Sequence, residues 1–165
     1  QFGVLTLKPG EWQSWQSEQK RMNHLQGIYA WYDPWAESFI QTLVDLAEAR
    51  RDGERLGADV ILILDDLNFI DELSYEAQVN VYWLLEYGAH SGVWSIAGVN
   101  AHQAENFRYW VDTFRTRVIG RVTSEAHTKI LALRSNPAVT DLEPGMFSVW
   151  AGADWFTYRL PLLGD

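Results

Sequence analysis

The stretch Val60–Asp66, VILILDD, constrains the fold more than any other part of the sequence. An apolar run this short and this rich in β-branched residues predicts a strand buried on both faces, as in a parallel sheet. Two carboxylates, Asp65 and Asp66, end the run. Because open α/β sheets bind ligands at the carboxyl ends of their strands, the stretch predicts an acidic site at that edge of the sheet.

Further apolar segments alternate with helical patterns along the chain, and the last two extended segments are separated by a short turn. This order predicts an α/β fold with a mostly parallel sheet and a C-terminal β-hairpin. Predicted helices begin at caps formed by Asp33 with Pro34, by Ser74, and by Ser124 or Thr123. The predicted strands are 2–7, 27–32, 60–66, 93–99 and 116–122, the helices 34–51, 74–87, 104–111 and 124–133, and the hairpin strands 146–150 and 155–160.

The two longest predicted helices should turn one apolar face toward the sheet. Spacing alone places four residues of each helix on that face. For the first helix these are Trp35, Phe39, Leu43 and Leu46, and for the second Tyr75, Val79, Tyr82 and Trp83.

Composition bounds the class of protein. The chain has 165 residues, of which 47% are hydrophobic, and we expect it to form a single domain, 1–165. It contains no cysteine, no signal peptide and no apolar run of the roughly 20 residues that a membrane helix needs, so a cytoplasmic protein is expected. A net charge of −9 disfavours a surface that attracts nucleic acid globally, although a local basic patch is compatible with it. The nine tryptophans favour an aromatic interface in addition to a core.

An aliphatic strand that ends in two acids is typical of the Walker B segment of nucleotide hydrolases. There the first acid holds Mg²⁺ and the second polarises the attacking water. The simpler interpretation is a buried strand that ends in two solvated aspartates. The usual partner motif, GxxxxGK followed by Ser or Thr, occurs nowhere in the sequence, so no phosphate loop is available from this chain.

From Gly27 to Gly164 the chain resembles, in the order and spacing of its segments, the motor domain of the FtsK/SpoIIIE/HerA group of DNA-translocating ATPases. The segments are GIYAWYDPWAESFIQTLVDLAEARR, VILILDDLNFI, LLEYGAHSGVWSIAGVNAH, TRVIGRVTSEAHTKIL and EPGMFSVW. The resemblance implies a three-layer RecA-like sheet, here an incomplete P-loop NTPase core. It also implies a hydrolase that binds ATP and, as a homo-oligomeric ring, moves double-stranded DNA.

The resemblance also implies roles for individual residues. Asp65 takes the position of the Mg²⁺ acid, Asp66 that of the catalytic glutamate, and Asn100 that of a sensor that is normally glutamine. Arg117 and Arg121 stand at the two arginines of the following strand, one of which would act across a subunit boundary. Mg²⁺ and ATP are the implied cofactors, provided that a phosphate loop is supplied from elsewhere.

Departures from the family pattern predict that this chain alone does not hydrolyse ATP. Asp66 is one methylene shorter than glutamate, and a misplacement of ~1 Å can cost ~10²-fold in rate. We expect the chain to be the downstream part of a longer motor, or a remnant that closes its sheet differently or by oligomerising. Without the phosphate-loop strand its sheet should have a gap or an unpaired edge, and such edges recruit partners.

Two other hypotheses stay open at this point. One is a catalytically inactive domain that keeps the fold for protein assembly, and the other is an unrelated α/β module.

Smaller features of the sequence are open to a structural interpretation as well as a functional one. Trp12 and Trp15 can stack on bases or pack on the sheet. The four histidines are scattered, without metal-ligand spacing. The arginines 108, 115, 117 and 121 can contact phosphates or form a solvated face.

Overall fold

The computed structural model describes residues 1–18, 23–54, 57–132, 137–150 and 154–160. Its chain divides into two compact units, Gln1–Val99 and Asn100–Asp165. The α/β class, the mostly parallel sheet and the C-terminal hairpin are as the sequence predicts. Within the described ranges, every helix is too short or too polar to cross a membrane.

The described part of the first unit has the strands β1 (Phe2–Thr6), β2 (Leu25–Ala30), β3 (Val60–Leu64) and β4 (Val93–Ala97), and the helices α1 (Gln13–Glu18), α2 (Pro34–Arg51) and α3 (Tyr75–Tyr87). These four strands form a wholly parallel sheet in the order β2-β1-β3-β4. Short 3-10 helices lie in its connections, at Pro9–Trp12, Leu67–Glu72 and Gly88–Ser91.

The described part of the second unit has the elements α4 (Arg108–Val111), β5 (Val118–Ile119), α5 (Glu125–Leu131), β6 (Met146–Trp150) and β7 (Trp155–Arg159). A 3-10 helix at Ala101–Gln103 precedes α4. The three strands form an antiparallel sheet in the order β5-β6-β7. The segment 116–122, expected as a further long strand, contributes only the two residues of β5 and pairs with the hairpin. Most of the expected hairpin turn, residues 151–153, lies outside the described residues.

Three predicted helix starts are confirmed by hydrogen bonds, whereas the helix expected from residue 104 begins only at Arg108. The side chain of Asp33 accepts from the Trp35 amide at 2.9 Å, and Pro34 occupies the first turn of α2. Ser74 accepts from the Ala77 amide at the start of α3. Ser124 does the same for α5. These polar caps satisfy amides that have no partner inside their own helix, which is why local sequence locates the starts well.

The predicted inward face of α3 is wrong. Its buried residues are Ala77, Val81 and Leu84, whereas Tyr75 is 83% exposed and Val79 is 48% exposed. Small and aliphatic side chains allow the helix to approach the sheet closely. That geometry turns Tyr75 outward and leaves the other two predicted residues, Tyr82 and Trp83, half-buried. In α2, Trp35 is also directed outward and is 69% exposed, whereas Phe39 and Leu43 are buried as the sequence predicts.

β3 is buried on one face only, in contrast to the two-sided burial that its sequence predicts. Val60, Leu62 and Leu64 are buried on one face of the strand. Gly3 of β1 is the register partner of Leu62, and the Phe39 ring of α2 lies against Gly3. The buried face is therefore the one on which α2 packs. On the opposite face Ile61 is 37% exposed.

The exposed apolar face continues onto β4. Trp94 is 51% exposed and Ile96 is 56% exposed, and their register partners on β3 are Ile61 and Ile63. Among the described residues β4 is an outer strand that pairs with β3 alone. The sheet is therefore open both at the β4 edge and over the adjoining apolar face.

This one-sided burial predicts unequal effects at adjacent positions of β3. Leu62→Ala should lower the free energy of unfolding by about 2–5 kcal/mol, because it leaves a cavity at a fully buried site. Ile61→Ala, the matched control on the open face, should cost less than about 1 kcal/mol. Urea unfolding followed by circular dichroism measures both, and equal losses would contradict the open face.

Candidate functional site

The carboxyl end of β3 brings Asp65 next to polar groups from β1 and the segment after it. Asp65 Oδ2 accepts a hydrogen bond from the Thr6 hydroxyl at 2.8 Å and a second from Trp12 Nε1 at 3.1 Å. Thr6 is fully buried, and its Oγ1 in turn accepts from the Lys8 amide at 2.9 Å. One oxygen of the carboxylate is thus held in a fixed direction by two donors.

The other carboxylate oxygen of Asp65, Oδ1, has no donor among the described residues. A half-buried carboxylate with one oriented and one open oxygen can contribute a single ligand to a hard cation such as Mg²⁺, which commonly binds through one or two carboxylates plus substrate phosphates and water. Within the described ranges, no cluster of three or more acidic or histidine side chains completes a metal site. Asp65 can therefore supply one carboxylate oxygen to a ligand, and its role as the Mg²⁺ acid stays a prediction.

Asp66 has a structural task of its own. Its Oδ1 accepts from the Asn68 amide at 3.0 Å and caps the 3-10 helix Leu67–Glu72. The same contact fixes the direction of the carboxylate while its second oxygen makes no protein hydrogen bond in the described part of the chain. Asp66 can therefore both cap a helix and present one oxygen to a water molecule.

Gly98 contacts the backbone of Asp65. Its amide donates to the Leu64 carbonyl at 2.8 Å, and its carbonyl accepts from the Leu67 amide at 2.9 Å. A Cβ added to Gly98 would lie 2.3 Å from the Asp65 carbonyl oxygen, too close for any side chain. The turn after β4 therefore fixes the backbone on which both aspartates stand.

Asn100 is the first residue of the second unit, and its side chain caps the 3-10 helix that follows. The Oδ1 atom accepts from the His102 amide at 3.1 Å, and the residue is exposed. The γ-phosphate sensing that the resemblance implies for Asn100 stays a prediction.

The two arginines of the TRVIGR segment differ completely in environment. Arg117 is 7% exposed, and its guanidinium donates to the carbonyls of Val111 and Leu131 at 2.9 and 2.8 Å. It donates further to Phe114, Ile130 and the carboxylate of Asp112. Burial lowers the pKa of Arg117, against the raising effect of Asp112, yet arginine stays protonated in proteins. Its donors are directed into its own unit.

Arg121 is exposed and makes no ion pair or hydrogen bond in the described part of the chain. Of the two arginines, it is the one whose guanidinium can reach a group outside the protein. The neighbouring Arg108 pairs with Asp112 at 3.7 Å, which is the solvated-face arrangement that its sequence surroundings favour.

Three contacts in these units lie outside what sequence reasoning found. Thr6 and Trp12 are polar partners of Asp65, and the only sequence signal for them is that β1 and β3 are both short apolar strands that end at the same edge. By contrast, Trp15 packs edge-on against Phe2, with ring centroids 6.3 Å apart, which is one of the two arrangements that its sequence leaves open. His102 and His127, expected to be separate, contact each other with ring centroids 5.0 Å apart.

Gly98→Ala should displace the Asp65 backbone and destabilise the fold. We expect a loss of about 1–3 kcal/mol in the free energy of unfolding, the usual cost of overpacking. Gly10→Ala is the matched control, because a Cβ at Gly10 would have nothing within 4 Å. Chemical denaturation measures both, and a neutral Gly98→Ala would show that the turn does not fix the strand tip.

Arg117→Met should lower the free energy of unfolding by about 1–3 kcal/mol, since the carbonyls of Val111 and Leu131 lose their buried charged donor. Arg121→Met, which removes the same group from an exposed position, should change it by less than about 0.5 kcal/mol. Thermal and urea denaturation of the two variants test the difference. Equal stabilities would contradict a structural role for Arg117.

Comparison with known proteins adds a fold relationship. No protein-family model matches the chain, and no curated protein matches it. Among solved structures, the chain is similar to the pCW3 conjugation coupling protein TcpA, in a monomer form with ATPγS. The TM-score is 0.66 at 18% sequence identity, over 96% of this chain and 51% of that one. The chain thus spans about half the length of the structure that it matches, and it shares the fold of a conjugation coupling protein.

Proposed function

We propose that this chain is part of an ATPase motor of the FtsK/HerA kind, which couples ATP hydrolysis to the translocation or packaging of DNA. The observation that carries the proposal is the orientation of Asp65 at the carboxyl end of an inner parallel strand, by Thr6 and Trp12. Support comes from the fold shared with a coupling protein whose structure contains ATPγS. The order of the sequence segments supports the same function.

In this proposal the nucleotide is held mainly by residues that the chain does not contain. When bound, Mg²⁺ would neutralise charge on the phosphates. Asp65 would hold the ion through Oδ1, directly or through water, while its Oδ2 stays on Thr6 and Trp12. Asp66 would orient a water molecule, Asn100 would sense the γ-phosphate, and exposed Arg121 would act on a neighbouring subunit of a ring. Arg117 is left out, because its donors are used within its own unit.

The open edge of β4 fits the missing part. An outer parallel strand has amides and carbonyls available for another strand, and the apolar face beside it has Trp94 and Ile96 exposed. A phosphate-loop strand with its helix would have a place there. The chain alone, without that segment, is expected to be inactive.

The test compares Mg²⁺-dependent ATP hydrolysis by the chain alone with hydrolysis by a polypeptide that also contains the residues encoded upstream of Gln1. The chain alone should show no activity above background, and the longer polypeptide should hydrolyse ATP. In the longer polypeptide Asp65→Asn should lower the rate by ~10²-fold or more, because the ion loses a charged ligand. Glu86→Gln, an exposed acid on α3, is the control and should keep the rate.

A second substitution addresses the short side chain at position 66. Asp66→Glu should raise the rate of the longer polypeptide by up to ~10²-fold, since the carboxylate then reaches the position expected of a glutamate. It should also cost about 0.5–2 kcal/mol of stability, because glutamate is a poor N-cap. Robust ATP hydrolysis by the chain alone would overturn the proposal. So would a longer polypeptide that has no phosphate loop and does not hydrolyse ATP.

The alternative, a catalytically inactive assembly module, is favoured by one observation. Large aromatic side chains are exposed at the starts of α2 and α3, and exposed apolar groups of this size mark a surface that contacts other molecules. In that case no form of the protein hydrolyses ATP, and Asp65→Asn changes neither activity nor assembly.

A further inference from the structure

Three large aromatic side chains are exposed at the carboxyl end of the parallel sheet. Tyr32 is 64% exposed, Trp35 is 69% exposed and Tyr75 is 83% exposed. Tyr32 and Trp35 follow β2 and lie at the start of α2, and Tyr75 is the first residue of α3. Rings of this size normally bury most of their area, so a concentration of exposed ones marks a surface that binds something.

The two helix starts that display these rings are joined to each other. The carboxylate of Glu37, in the first turn of α2, accepts from the Ser74 amide at 2.8 Å and from the Ser74 hydroxyl at 2.9 Å. Trp35 is fixed at its backbone by the Asp33 cap. The Tyr32 ring packs edge-on against Trp31, with centroids 5.7 Å apart. Aromatic groups on capped and connected helix ends are preorganised, which lowers the entropic cost of binding a partner.

The surroundings of these rings are acidic. Asp71, Glu72 and Glu76 flank the start of α3, are exposed, and form no ion pair with any described residue. The negative charge of the protein is concentrated in this unit, because residues 1–99 contain 15 acidic and six basic side chains, a net charge of −9. Residues 100–165 contain seven of each. An acidic surface of this kind attracts cationic groups.

We infer that this surface, defined by Tyr32, Trp35, Asp71, Glu72, Tyr75 and Glu76, docks an arginine-rich segment of a partner protein. Aromatic faces attract cations, and guanidinium groups stack on them while donating paired hydrogen bonds to carboxylates. Arginine fits both parts of the surface, whereas the compact ammonium of lysine fits mainly the acidic part. The inference needs no nucleotide, so it stands or falls separately from the proposed ATPase.

The test titrates the chain with a fluorescent peptide of alternating glycine and arginine at physiological salt, with anisotropy as the readout. The double variant Trp35→Ala, Tyr75→Ala should weaken binding ~5- to 30-fold, since it removes two rings that attract guanidinium groups. A peptide with lysine in place of arginine should bind several-fold more weakly. Circular dichroism should show that the double variant is as well folded as the unaltered chain, because the two substituted side chains are exposed.

Matched controls separate the surface from general attraction to an acidic protein. Tyr87→Ala removes a ring that is 56% exposed at the other end of α3, and Glu86→Gln removes an exposed charge beside it. Both should leave peptide affinity within twofold of the unaltered chain. The inference is overturned if the double variant binds as tightly as the unaltered chain or if Tyr87→Ala weakens binding equally. It is also overturned if a single-stranded oligonucleotide, and not the peptide, binds through Trp35 and Tyr75.

Discussion

The parallel pairing of β3 between β1 and β4 is the constraint on which the candidate site depends. Pairing with β1 brings Thr6 to the end of β3, where its hydroxyl contacts Asp65. Pairing with β4 brings Gly98 against the Asp65 carbonyl. The side chain and the backbone of this aspartate are thus each fixed by a neighbouring strand. A site built this way inherits the rigidity of the sheet, as functional groups on regular elements generally do.

Local signals in the sequence predict much of the fold and less of the site. The capping residues Asp33, Ser74 and Ser124 locate three helix starts, because a cap acts over only two or three residues. The contacts of Asp65 with Thr6 and Trp12 join residues 59 and 53 positions apart, so they depend on the order of strands. Spacing along a helix cannot decide how closely that helix approaches a sheet, which is why Tyr75 and Trp35 were expected to be buried.

The exposed rings and the acidic site lie at the same end of the parallel sheet, within the first unit. β1, β2 and β3 all run toward that end, so the chain segments that follow them collect there. Crowding of this kind is general in parallel α/β folds and explains why binding groups gather at carboxyl strand ends. A partner held at the start of α2 and α3 would therefore stand at the end of the sheet on which Asp65 also lies.

Arg117 has a consequence for how the second unit opens. The helices α4 and α5 have four and seven residues, too few for either to persist as an isolated helix in water. The guanidinium of Arg117 donates to the carbonyls of both Val111 and Leu131, the last residues of the two helices. Neither helix can fray at its carboxyl end without releasing a buried charge. Amide hydrogens of both helices should therefore exchange with solvent as one cooperative group, although the 13 residues between Val111 and Glu125 separate the helices in sequence.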